Sequence, residues 1–120
     1  MMRCLMKENI IKDKTFNFAL KIIDLYRELV EVKREYVLSK QILRSGTSIG
    51  ANLREADYAI SKKEFIAKVQ ISLKEAAETE YWLDLLHQSG YIEHAQSLKE
   101  DIQSIIRILT AIIKTAKQNQ

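Results

Sequence analysis

The sequence predicts an all-α protein, an up-down-up-down antiparallel four-helix bundle. Three observations predict it. Its 120 residues contain no proline and only three glycines, so little interrupts a helix. Apolar residues recur at helical spacing over long stretches. The composition, 47% hydrophobic and 29% charged, is that of a globular chain able to bury a core without disulfides or metals.

The elements follow in order. Residues 1–13 read as a flexible N-terminal segment, and 14–117 as one bundle domain. A first helix is predicted over 14–31, carrying Phe16, Ala19, Leu20, Ile23, Tyr26 and Val30 as one stripe. Charged and β-branched residues in "VEVKREYV" interrupt that stripe. A second helix follows over 36–57, burying Leu38, Ile42, Ile49, Leu53 and Ala56 at alternating steps of three and four. Ser61 with Glu64 forms a capping box that starts a third helix, 61–88. Its inward stripe is Phe65, Ile66, Val69, Leu73, Ala76 and Leu83. Gly90, in "HQSGYIE", is placed as the C-cap glycine of that helix. A fourth helix over 94–117 presents Leu98, Ile102, Ile105, Leu109, Ile112 and Ala116 as a single seam, and 118–120 form a tail. Four amphipathic helices with short links bury their stripes as a bundle.

The first and third helices carry more apolar surface than one core requires. Phe18, Ile22, Leu25 and Leu29 form a second stripe on the first helix, and Ile71, Trp82 and Leu85 lie off the inward stripe of the third. Aligned apolar residues left outside a core mark a partner surface, so both groups are expected at an interface between copies of this chain.

Two of the three glycines fall inside the second helix, in "QILRSGTSIGANLREA". Each costs roughly 1 kcal/mol relative to alanine. No P-loop lysine or preceding strand accompanies them, so phosphate cradling is disfavoured. Gly46 and Gly50, flanked by Ser45, Thr47, Ser48 and Ala51, are expected to let a neighbouring helix approach closely. The opposite face of the same helix carries Lys40, Arg44 and Arg54, with Tyr58 beyond its end. Basic side chains interleaved with aromatics suit a nucleic-acid backbone and unstacked bases, making these four the candidate nucleic-acid-binding residues.

Nothing in the sequence forms a catalytic constellation, and no cofactor or metal is expected. Asp84 and His87 are one turn apart, but di-metal bundles need a second such pair and further glutamates. Glu80 falls on the inward stripe of the third helix, where a carboxylate requires a partner; Arg54 and Arg107 are the candidates. A net charge of +3 permits nucleic-acid contact. A single cysteine, Cys4, excludes an internal disulfide and suits a reducing cytoplasm. Met1–Lys12 holds no apolar run of the kind a secretory signal needs. The most apolar segment, Ile105–Ile113, is too short to span a bilayer. A cytoplasmic location is expected.

"LSKQILRSGTSIGANLREA" followed by "SKKEFIAKVQISLKEAAETEYWLDLL" closely resembles the bacterial four-helix-bundle family of 23S rRNA-intervening sequence proteins, which is related to the accessory protein of diversity-generating retroelements. The resemblance runs from about residue 14 to 117. Its motif falls on Arg44, Ser48, Ile49, Asn52 and Glu55, with Ser61–Phe65 following. It implies a homopentameric ring of up-down bundles; some members are encoded in insertions within ribosomal RNA genes, and the related accessory protein works with a reverse transcriptase and its RNA through a basic surface. Ser48 and Asn52 are then expected to hydrogen-bond beside the core, and Arg44 with Glu55 to form a structural or inter-subunit pair. The function that results is a non-enzymatic oligomeric scaffold, binding RNA or a nucleic-acid-associated protein through a repeated basic surface. The alternatives are a purely protein-binding ring and a metal-dependent enzyme built on Glu80, Asp84 and His87.

Overall fold

The computed structural model describes residues 2–119, and side chains for 9–119. It contains four helices: α1 Met2–Glu31, α2 Leu38–Ala56, α3 Lys62–Gln88 and α4 Gln96–Gln118. Each packs on its chain neighbour, and α1 closes against α4. The result is a square, up-down-up-down bundle.

α1 departs from expectation at its start and in its phase. It begins at Met2 rather than near residue 14, and Ile11 is already buried; the expected flexible segment gives way to helix. The buried seam is Ile11, Thr15, Phe18, Ile22, Leu25 and Leu29, an unbroken series of steps of four and three. Thr15 is buried without penalty because its hydroxyl donates to the Ile11 carbonyl at 2.8 Å. Phe18, Ile22, Leu25 and Leu29, expected at an oligomer interface, therefore form the core of the protomer. Phe16 and Leu20, expected inside, are exposed.

The glycines of α2 explain that phase. A Cβ placed on Gly46 would sit 2.9 Å from both Cγ1 and Cγ2 of Ile22. On Gly50 it would sit 3.3 Å from Thr15 Oγ1. The missing side chains thus admit α1, and Ile22 fills the notch at Gly46. On its other flank α2 meets α3 through small hydroxyls. Ser72 donates to the Ile49 carbonyl at 2.8 Å, and the Thr79 hydroxyl lies 2.9 Å from Ser45 Oγ and 2.8 Å from the Glu75 carbonyl. Thr79, not Glu80, occupies the inward position of α3. Glu80 is half-buried and pairs with neither Arg54 nor Arg107; the nearby cation is Lys99, whose pKa is raised first by its bond to Asp84 and to a lesser degree by the charge of Glu80.

The links are built by local chemistry. Arg34 takes a left-handed conformation, φ 57°, which ends the α1 segment and turns the chain. The buried carboxylate of Glu35 then accepts the N–H groups of Val37, Leu38 and Ser39 at 3.1, 2.9 and 2.7 Å. It satisfies donors that every helix start leaves free, in place of a side-chain cap on Val37. Burial raises its pKa, but those backbone bonds together outweigh burial and hold it below the ordinary glutamate value. Ser61 Oγ accepts from the Glu64 N–H at 3.1 Å and starts α3. At the far end Gly90 adopts φ 89°, donating to the His87 carbonyl while Tyr91 donates to that of Leu86, which is the Schellman closure.

Candidate assembly and nucleic-acid surfaces

The four candidate nucleic-acid residues do not form one open strip. Lys40 is exposed in the first turn of α2 and Tyr58 just beyond its last, 84% exposed. At 1.5 Å per residue they are about 27 Å apart along the helix. Between them Arg44 is tied to α3: one guanidinium nitrogen lies 3.0 Å from Glu75 and the other pairs closely with Glu78. The Glu78 hydrogen bond is the main reason its proton is held more tightly than usual. Arg54 lies over the Phe16 ring, 5.9 Å from its centroid, a cation–π contact between α2 and the outer face of α1.

Glu78 also accepts the indole N–H of Trp82 at 3.0 Å. That bond, with the Arg44 contact, overcomes partial burial and keeps the Glu78 carboxyl below the usual range. Trp82 packs edge-on to Tyr81, centroids 5.2 Å apart. Ile71 and Leu85, on the same outward side of α3, are 42% and 37% exposed. On α1 the outward row is Phe16 and Leu20, 53% and 48% exposed, with Ile23 half-buried. Helical geometry places this row beside α2 on one flank and the α3 row beside α2 on the other. Sequence reasoning missed Phe16 and Leu20 as surface residues because it assigned their stripe to the core.

The motif residues have local structural roles. Ser48 donates to the Arg44 carbonyl at 2.6 Å, and Asn52 to that of Ser48 at 2.8 Å. Ile49 is fully buried. Glu55 pairs with Lys68 at 2.8 Å, so within the protomer Arg44 and Glu55 make two separate bridges from α2 to α3 rather than one pair with each other. Asp84 is held by Lys99 at 2.8 Å, and His87 is exposed. Among the described residues no three His, Cys, Asp or Glu side chains gather, and no helix is long and apolar enough to cross a membrane. The Cys4 side chain lies outside the described ones.

Residues 7–111 match the family described as 23S rRNA-intervening sequence protein. The chain belongs to that family. The 23S rRNA-intervening sequence fold is also that of a crystal structure from Bacteroides thetaiotaomicron VPI-5482, a protein of unknown function from the S23 ribosomal protein family. The two are 54% identical, with a TM-score of 0.88 over 90% of this chain and 98% of that one. None of the curated proteins compared with it matches. The match to the 23S rRNA-intervening sequence family covers all of α2 and α3, most of α4 and α1 from residue 7 on.

Proposed function

We propose that this protein is a non-enzymatic, cytoplasmic scaffold that assembles into a homopentameric ring and presents basic side chains to RNA. The carrying observation is the pair of exposed apolar rows, Phe16 and Leu20 on α1 and Ile71 and Leu85 on α3. Two different rows on two flanks of one protomer suit a heterologous contact, the α1 row of one copy against the α3 row of the next. Such contacts repeat around a ring when the rotation closes. Thr47 and Ala51, which lie between the rows on α2, keep that ridge low enough for a neighbour to approach. RNA as partner follows the family's name, and exposed basic side chains together with the exposed Tyr58 supply groups of the right chemistry.

Light scattering on the purified protein, before and after nuclease, tests the assembly. The expected mass is close to five subunits and independent of nuclease. Leu20→Glu or Ile71→Glu is expected to reduce it while leaving the helical signal intact. A wild-type monomer refutes the ring. A captured partner that survives nuclease favours protein binding over RNA.

A further inference from the structure

Charge in this bundle is sorted by end. Contacts at Thr15–Gly50, Ile22–Gly46, Ile49–Ser72, Ser45–Thr79 and Lys21–Asp101 fix which residues of the helices share a level. They divide the described side chains into two halves. One half, residues 9–19, 48–74 and 104–119, carries ten basic and four acidic side chains. The other, residues 20–47 and 75–103, carries seven basic and eleven acidic. The long axis of the bundle spans 47 Å, against a screening length of about 8 Å at physiological salt. An approaching polyanion therefore meets one attractive end and one repulsive end.

The basic end also has the features of a phosphate-tracking surface. Lys63, Lys114 and Lys117 are exposed and make no ion pair among the described residues. Lys63 and Lys117 flank a shallow cleft between α3 and α4, with Ile66, Ala67 and Gln70 completing its lining. Tyr58, 84% exposed, and Ile60, 94% exposed, project from the α2–α3 link at the same end. Unpaired cations beside an apolar floor and an exposed ring are what single-stranded nucleic acid uses, with phosphates on the lysines and a base on the aromatic face. A lysine already bonded to a carboxylate, as Lys68 is, would have to give up that bond first.

We infer that single-stranded RNA binds at this end, with its phosphates on Lys63, Lys114 and Lys117 and a base on Tyr58, and not along the length of α2. The inference rests on the RNA reading above and adds the site. Of the residues singled out in the sequence it retains Tyr58. It sets aside Arg44, which α3 already holds, Arg54, which lies over the Phe16 ring, and Lys40, which lies in the acidic half. In any cyclic ring these ends are equivalent, so the same cluster recurs once per subunit.

The test is the anisotropy of a fluorescein-labelled single-stranded RNA titrated with the full-length protein across a salt series. The Lys63→Gln/Lys114→Gln/Lys117→Gln variant is expected to flatten the log–log salt slope by about 2, from about 0.7 per phosphate contact, and to weaken binding roughly a hundredfold at about 0.1 M salt. Arginine at the same three positions is expected to restore both. Arg27→Gln/Lys33→Gln, in the acidic half, is expected to leave binding unchanged. Wild-type binding that survives the triple glutamine change, or falls equally with the acidic-half variant, overturns the site while leaving the RNA reading in place. Absence of wild-type binding at low salt overturns both. If the basic end instead governs a salt-sensitive rise in protein mass without RNA, its partner is the acidic end of another copy and the inference fails.

Discussion

Gly46→Ala should destabilise this protein, although alanine is the better helix former. The intrinsic gain is about 1 kcal/mol. Against it stands the new Cβ, 2.9 Å from two carbons of Ile22 and 3.3 Å from a third. Those atoms sit at the branch point of a fully buried side chain, so they cannot swing aside as a flexible tip would. Relief requires α1 and α2 to separate, and overpacking of that kind costs about 1–3 kcal/mol. The net expectation is a loss of about 1 kcal/mol. Ile22→Ala removes both offending γ-carbons, at its own cost of about 2–5 kcal/mol. In that background Gly46→Ala should become stabilising by about 1 kcal/mol, a change of about 2 kcal/mol between the two backgrounds, which is within the range measured for touching residues. Gly50→Ala has Thr15 Oγ1 as its nearest contact at 3.3 Å, with Thr15 Cβ and carbonyl carbon at ordinary distances of 3.6 and 3.8 Å, and should be neutral or slightly stabilising. Urea unfolding at one fixed protein concentration measures all of these. A Gly46→Ala protein more stable than wild type, or an effect of the same sign in both backgrounds, would refute the close-approach argument.

Two further outcomes follow from the carboxylates. Glu35→Gln should cost about 1–2 kcal/mol at neutral pH, because it discards charge-assisted bonds to the start of α2. Glu35 has a depressed folded-state pKa, so its contribution is complete above the unfolded value of about 4.3 and is lost as pH falls through the lower folded value; the difference between the two proteins in urea melts should therefore close in acid. Trp82 is the only tryptophan, and its N–H bonds Glu78, whose pKa is also depressed. Its fluorescence should show a step in acid, below about pH 4.3, that Glu78→Gln removes; an unchanged step in the variant would deny that bond.

The start of α3 and its end at Gly90 were legible in the sequence because each rests on contacts within a few residues. Ser61 and Gly90 act as their spacing predicts, while the Glu64 carboxylate reaches one residue further back and accepts the Ile60 N–H at 3.1 Å. The seam of α4 was legible because it carries only one apolar stripe. α1 carries two, and which one turns inward depends on α2, where Gly46 opens a notch that Ile22 fills. A signal was present: the series of Phe18, Ile22, Leu25 and Leu29 continues back through Thr15 to Ile11, whereas the competing stripe ends at Phe16. Glu35 escaped notice because it lies two residues before Val37, the N-cap position of α2, outside the usual capping pattern. The partners of Arg44 could not be read from α2 alone, since Glu75 and Glu78 belong to a helix whose rotation only packing sets.

The α2–α3 contact is tied on both its sides, by the Ser72 and Thr79 hydroxyls within and by Arg44 and Lys68 outside. The chain joining these helices is only residues 57–61, so bringing them together loses little loop entropy. This hairpin is therefore the natural first unit of folding, on which α1 and α4 condense. In hydrogen exchange its amides should open only with the whole molecule. α1 and α4 are far apart in sequence, and their described ion pair is the exposed Lys21–Asp101 bridge; their amides should exchange through smaller openings. The small hydroxyls that make the centre of this bundle look polar thus set the order in which it comes apart.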